Sequence, residues 1–152
     1  FSINCPPFST NSAYYKNRQL TQKAREWRSH FLFQLQNPNI QRDLQALREK
    51  FQPTKNSISV EYHFYYPSSK LLTKSGEISL RSCDLTNIEK LTQDNIFASK
   101  LNGRIIKDKI ISNLDLDDKF VTKLVSTKNI HPQNRYEIRI SLEVLPLPST
   151  TS

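Results

Sequence analysis

The chain is poor in the residues that build several common kinds of site. Two glycines in 152 residues leave no glycine-rich loop to cradle a phosphate. Two cysteines, Cys5 and Cys83, are far apart, so neither a disulfide framework nor a zinc-ligand spacing can be assembled and both read as reduced packing residues. No apolar run is long enough to span a membrane, and the N-terminus lacks the basic, apolar and small-residue regions of a signal peptide, which points to a cytoplasmic protein without a membrane partner. Methionine is absent and the sequence opens on Phe1, so the start of the protein is expected upstream. The three histidines, His30, His63 and His131, fall into no Ser-His-Asp or Cys-His arrangement, and a lone strand histidine such as His63 is ordinarily a surface or packing residue.

What is present is positive charge. The net charge is +8, the signature of a polyanionic partner, because clustered Lys and Arg displace counterions from phosphates. Residues 1–56 carry 9 basic and 3 acidic side chains, residues 57–152 carry 13 and 11, so the positive field lies in the first third and the acids come later.

Hydrophobic periodicity gives the fold. Ser2-Ile3-Asn4-Cys5 reads as a short strand stopped by Pro6-Pro7, where backbone donors are lost. A polar run then leads to Tyr14-Tyr15-Lys16-Asn17-Arg18, a loop or small hairpin rich in phosphate-binding groups. Ala24, Trp27, Phe31 and Leu35 recur at helical spacing over Thr21–Gln36, and Ile40, Leu44, Leu47 and Phe51 repeat it before Pro53. Trp27 is expected in the core. Ile58, Val60, Tyr62, Phe64 and Tyr66 alternate with Ser59, Glu61, His63 and Tyr65 as a strand does. Residues 67–82 read as a loop with a small hairpin. Val121–Lys128 and Tyr136–Val144 read as a strand pair joined by 129–134, the second with Glu137, Arg139, Ser141 and Glu143 outward. The expectation is an α+β fold, one domain over residues 1–145, in which a small mixed sheet in the order β-α(-α)-β-α-β-β is covered by helices; residues 146–152 are expected to be a disordered tail.

The chemistry lies between the strands. On a helix over residues 84–100, Leu85, Ile88, Thr92, Ile96 and Ser99 share one side, while Asp84, Asn87, Lys90 and Asp94 share the other. Such a polar face can simply be solvated. A second acidic element, Asp115-Leu116-Asp117-Asp118, precedes a strand. Strand-end carboxylates suit Mg²⁺, which takes hard oxygen ligands from one or two carboxylates plus water and phosphate. A calcium loop over Asn113, Asp115 and Asp117 is rejected, since Asp118 stands at the required glycine and Leu124 at the required glutamate.

These residues together resemble the RusA-type Holliday junction resolvases. Pro6-Pro7, Asn11, Tyr14-Tyr15 and the helix around Trp27 resemble the first part of that family; Asp84, Asn87, Lys90 and Asp94 match its central motif; Asp117-Asp118 followed by Val121 and Lys128 resembles its last part. The resemblance covers most of the chain. It implies a RusA-like domain acting as a structure-selective, Mg²⁺-dependent endodeoxyribonuclease, with Mn²⁺ as substitute metal, that resolves four-way junctions in DNA recombination and repair as a homodimer. It further implies Asp84, Asp118 and Asp117 as metal ligands, Lys90 as donor to the scissile phosphate, Asn87 as an orienting amide with Asp94 in support, and Lys16, Arg18, Lys23, Arg25 and Arg28 as phosphate contacts. The chain departs from the pattern at Thr86, where the family has a second acid, and in the segment 98–112, which is longer and basic. A neutral hydroxyl brings no charge to a metal. Asp115 is the nearest acid able to restore it. Two further readings therefore stand beside the nuclease: a catalytically weakened relative that binds branched DNA without cleaving it, and a basic protein-interaction domain.

Overall fold

The computed structural model describes residues 1–13 and 19–149. The elements run β1 (Ser2–Ile3), α1 (Thr10–Ala13), α2 (Gln22–Leu35), α3 (Pro38–Lys50), β2 (Asn56–Tyr66), α4 (Ser68–Leu71), α5 (Leu85–Phe97), β3 (Ile105–Ile106), β4 (Lys109–Ile110), β5 (Val121–Ile130) and β6 (Glu137–Pro146). The fold is α+β, with a four-stranded mixed sheet in the order β1-β6-β2-β5 and a separate ribbon of β3 and β4.

The two long N-terminal helices form where local chemistry allows. Thr21 caps α2 by accepting a hydrogen bond from the Ala24 amide, and Pro38 sits at the start of α3 behind the Asn37 cap, where a missing N–H costs nothing. Their apolar stripes, Ala24, Trp27, Phe31, Leu32 and Leu35, then Ile40, Leu44 and Leu47, are buried. Trp27 stacks on Phe31 at 5.1 Å and donates its indole N–H to the Pro6 carbonyl at 2.6 Å, so it is a core residue. Cys5 lies beside it, and burial pushes its thiol up to about 12 despite the opposing hydrogen bond with Trp27, which leaves it inert as a nucleophile.

β2 is the central strand, pairing antiparallel with β6 over Asn56–Tyr65 and parallel with β5. Its Ile58, Val60, Tyr62, Phe64 and Tyr66 are buried as the alternation requires. β5 and β6 are therefore not partners. The sequence pattern pairs them with each other, but residues 131–136 carry the chain across the end of β2, where the His131 amide donates to the Tyr66 carbonyl. A parallel partner for β2 needs a crossover connection, and α5 provides it.

Two other expectations change. Glu137 is buried, not outward, because Arg135 and Arg139 both pair with it and His131 lies against it. Burial alone would push its carboxyl up, but the Arg139 hydrogen bond and the charges of Arg139 and Arg135 outweigh it and hold the carboxyl below its ordinary range. Pro146, expected in the tail, is the last residue of β6, paired with Asn56, and the Leu147 amide donates to the Lys55 carbonyl. Residues 150–152 of the expected tail lie outside the described residues. Among the described residues no helix is long and apolar enough to cross a membrane.

Phe31→Ala removes a fully buried ring from the α2 contact with the core and is expected to cost about 3–5 kcal/mol, read as a lowered midpoint in chemical denaturation. Glu137→Gln is expected to destabilise the protein at neutral pH. Because the folded-state pKa is lowered, that loss shrinks as pH falls through the folded-state pKa of Glu137, and melts at pH 7 and pH 3 measure it.

Candidate functional site

The position of α5 decides which acidic residues meet. Its N-terminal end is held by Lys128 of β5, whose ammonium donates to the Cys83 carbonyl and the Ser82 hydroxyl. One turn into the helix Glu89 accepts a hydrogen bond from Ser126, and at the C-terminal end Asp94 feels the charge of Asp118. The helix therefore runs antiparallel to β5, with Asp84 at the end near Lys128 and Asp94 at the end near Asp118.

Asp84 is the N-cap residue of α5, exposed, and its carboxylate makes no capping hydrogen bond. Thr86 is exposed on the first turn, and Asn87 accepts a hydrogen bond from Thr10 of α1 at 3.2 Å. The helical rise of about 1.5 Å per residue places Asp84 about 15 Å along the axis from Asp94. A metal bound by Asp118, with metal–oxygen distances of about 2 Å, is out of reach of Asp84. The expected ligand set of Asp84, Asp117 and Asp118 is therefore not gathered in one chain. Among the described residues no three His, Cys, Asp or Glu side chains stand close enough together to hold a metal ion.

The helix also ends sooner than expected, at Phe97, because Ala98 takes an extended conformation. Its buried face is Ile88, Leu91, Thr92, Asn95 and Ile96, while Ser99, expected to be buried, is exposed.

What does converge lies around Asp94. A cleft of about 470 Å³ is lined by Asp94, Ser99, Asp115, Asp117 and Asp118, with Phe97, Ala98 and Leu116 as its apolar wall. Asp117 caps the short 3-10 turn at Asp118–Phe120 by accepting from the Lys119 amide, which fixes the turn at the mouth of β5. Asn113, fully buried, shapes the approach by donating its amide to the Asn95 and Ala98 carbonyls and accepting from the Asp115 amide. Its side chain is thus committed to the fold.

On the other side of Asp94 a cleft of about 210 Å³ is lined by Arg28 and Lys100 together with Trp27, Leu91, Asn95 and Leu101. Asp94 is thus shared between an acidic cleft and a basic one. Burial pushes its carboxyl up; Asp118 adds to the rise, and Lys90 and Lys100 oppose it. Tyr62 of β2 lies beneath. Its hydroxyl donates to Gln93 at 3.3 Å, and burial followed by the charges of Glu89, Asp94 and Asp118 raises it well above the ordinary range.

Of the residues read from the sequence, Asp94, Asp117, Asp118 and Lys90 belong to this end of α5, with Arg28 bordering it from α2. Asp84, Thr86 and Asn87 belong to the other end. Lys23 and Arg25 are exposed on α2, and Tyr14, Tyr15, Lys16 and Arg18 lie outside the described residues. His63 shares its hydrogen bonds with Thr127 and Glu61 on the sheet face opposite α5, and His30 bonds the Asn4 carbonyl and Gln34. His131 is buried with its Nδ1 accepting from the Gln133 amide. None of the three enters the cleft. Sequence reasoning missed Lys100 and Tyr62. Alternation marked Tyr62 only as core, and its hydroxyl was the sole hint of a polar neighbour.

No protein-family model matches the chain, and no curated protein matches it at a significant level.

The raised Asp94 carboxyl gives a sign that can be checked. A carboxyl whose folded-state pKa is raised binds its proton more tightly when folded, so it weakens the fold above its unfolded pKa and stops doing so as pH falls below it. Asp94→Asn is expected to raise the melting temperature at pH 7 and to leave it unchanged near pH 3. Millimolar Mg²⁺ is expected to narrow the difference at pH 7 by stabilising the wild type.

Proposed function

We propose that this protein is a metal-dependent endodeoxyribonuclease that cuts branched DNA of the four-way junction type, acting in the cytoplasm as a homodimer in recombination and repair. The observation that carries the reading is Asp94 standing between a carboxylate-lined cleft and an Arg28–Lys100 cleft. Phosphodiester hydrolysis needs both: oxygen ligands for a hard cation and cationic donors for the phosphate beside it. The net charge of +8, weighted to the first third of the chain, fits a polyanionic substrate.

The donor set fits Mg²⁺ or Mn²⁺ as one or two carboxylates with the remaining positions left to water and phosphate oxygens. Asp118 and Asp94 would hold the ion, with Asp117 beside them. When bound it supplies charge neutralisation at the phosphate and a water of lowered pKa. The chain's own groups do the rest. Arg28 and Lys100, which line the neighbouring cleft, bind the phosphate and orient it beside Asp94. Lys90, exposed four residues before Asp94, donates to a phosphate or leaving oxygen at the rim. Lys23 and Arg25 on α2 contact phosphates along the duplex without reading sequence.

The resemblance to RusA-type resolvases supports this class of substrate, but its first acid, Asp84, stands at the other end of α5 and Thr86 beside it is neutral. Those two facts favour a second reading, a junction-binding protein that does not cleave.

Cleavage of a synthetic four-way junction with Mg²⁺ or Mn²⁺, set beside binding of the same junction in chelator, separates the two. The nuclease reading expects metal-dependent nicking that Asp118→Asn lowers on the order of 10²–10³-fold, the scale of losing one charge-stabilising group, with binding retained. Asp84→Asn is expected to leave cleavage within about an order of magnitude, since about 15 Å of helix separates it from Asp94. Junction binding with no cleavage under either metal establishes the second reading, and binding that shows no salt dependence removes DNA as the partner.

A further inference from the structure

The segment that lengthens the chain between Asp94 and Asp115 forms a small, fixed β-ribbon. β3 and β4 pair with Ile105 opposite Ile110 and Ile106 opposite Lys109. Side chains on a ribbon alternate between faces, so the two pairs point in opposite directions. Ile106 is partly buried against the core, and the Lys107 and Lys109 ammonium groups lie 4.9 and 5.2 Å from the Phe33 ring of α2. The other pair faces outward: Ile105 is 72% exposed and Ile110 69%.

The ribbon is held from below. The Gly103 amide donates to the Ile111 carbonyl at 2.9 Å and the Ile111 amide to the Arg104 carbonyl at 2.8 Å. Gln36 donates to the Ser112 carbonyl and accepts from the Ser112 amide, and Gln41 donates to the same carbonyl. At the tip Lys107 and Asp108 take φ of 50° and 63°, the left-handed pair of a tight hairpin turn. Two β-branched side chains are thus presented to water on a stiff support, while Lys107 and Lys109 turn toward Phe33 on the opposite face and Asp108 is the lone opposing charge on the ribbon. Its two ends rise from the walls of the acidic cleft, Ser99 on one side and Asp115 on the other.

We propose that the Ile105–Ile110 pair is an apolar wedge that enters the base stack of DNA at a branch point, carried on a ribbon whose net positive charge suits the surrounding phosphates. This rests on the nucleic-acid reading above and adds to it the source of structure selectivity. Apolar wedges between base steps are a known physical means of unstacking and kinking DNA, least costly where stacking is already interrupted. The charge of the ribbon favours DNA over a second copy of the chain, which would bring like charges together. Two isoleucines are also a small part of the roughly 800 Å² per partner that a stable protein interface covers.

Ile105→Ser with Ile110→Ser removes the apolar face and keeps every cation. Because both residues are exposed, the variant is expected to melt at the wild-type temperature. Binding to a four-way junction and to a linear duplex is measured across salt, with 2-aminopurine placed at the branch point. The wild type is expected to brighten the probe, and the variant to lose that signal. Its junction-over-duplex preference is expected to fall about tenfold, with the salt slope unchanged. A variant that binds the junction and unstacks the probe as the wild type does overturns the wedge and leaves the DNA reading standing. A wild type that binds neither DNA overturns the DNA reading and the wedge with it. If the substitutions instead dissociate a dimer seen by sedimentation, or abolish binding to anionic vesicles while probe and preference stay as in wild type, the ribbon serves another partner and the proposal fails.

Discussion

The seating of α5 against β5 is the constraint on which the site depends. Lys128 reaches from β5, at the sheet edge, to the carbonyl and hydroxyl just before the helix, and Ser126 binds Glu89 one turn later. A helix that connects two parallel strands must run back along them, so its C-terminal end arrives where the next strand begins. That is why Asp94 meets Asp118 and Asp84 does not. The ion-binding possibilities of the chain follow from this direction of travel more than from the number of acids it holds.

The same geometry sets the electrostatics. The half-buried position of Asp94 raises its carboxyl, an effect relieved by Lys90 and Lys100 and aggravated by Asp118. Tyr62, buried on β2, hydrogen-bonds Gln93 while its ionisation is suppressed by burial and by the charges of Glu89, Asp94 and Asp118. Across the sheet, Glu137 shows the opposite outcome, because two guanidiniums more than offset its burial. One carboxyl is half-buried beside a cleft, with Lys90 and Lys100 only partly offsetting its burial and the charge of Asp118, and the other is held by two guanidiniums within the fold.

Much of the fold was legible because periodicity reports burial. Trp27, Phe31 and Leu35 on a helical stripe, and Ile58 to Tyr66 on alternating positions, lie where those patterns place them. The partner of each strand was less legible. β5 and β6 are consecutive and joined by a short connection, which ordinarily signals a hairpin, yet β2 lies between them. Alternation says which face a residue takes and nothing about which strand is next to it. Glu137 was misplaced for a related reason: its burial depends on Arg135 and Arg139 closing over it, a pairing no alternation encodes.

The sequence by itself determined the long helices α2 and α3, the long strands β2, β5 and β6, the buried aromatic core, the positive charge and the grouping of the acids into two short segments, because each depends on residues near one another in the chain; the helix at Ser68–Leu71, read as loop, and the β3–β4 ribbon carry no such local pattern. The tertiary structure alone decided that the acids of those segments meet at Asp94 and Asp118, that Arg28 from α2 borders them, and that Ile105 and Ile110 stand outward on a pinned ribbon. Helical rise carries Asp84 away from Asp94 although they share one helix, while the direction of β5 brings Asp118 beside Asp94 although they are far apart in the chain, and only packing sets which of these outcomes a given pair meets.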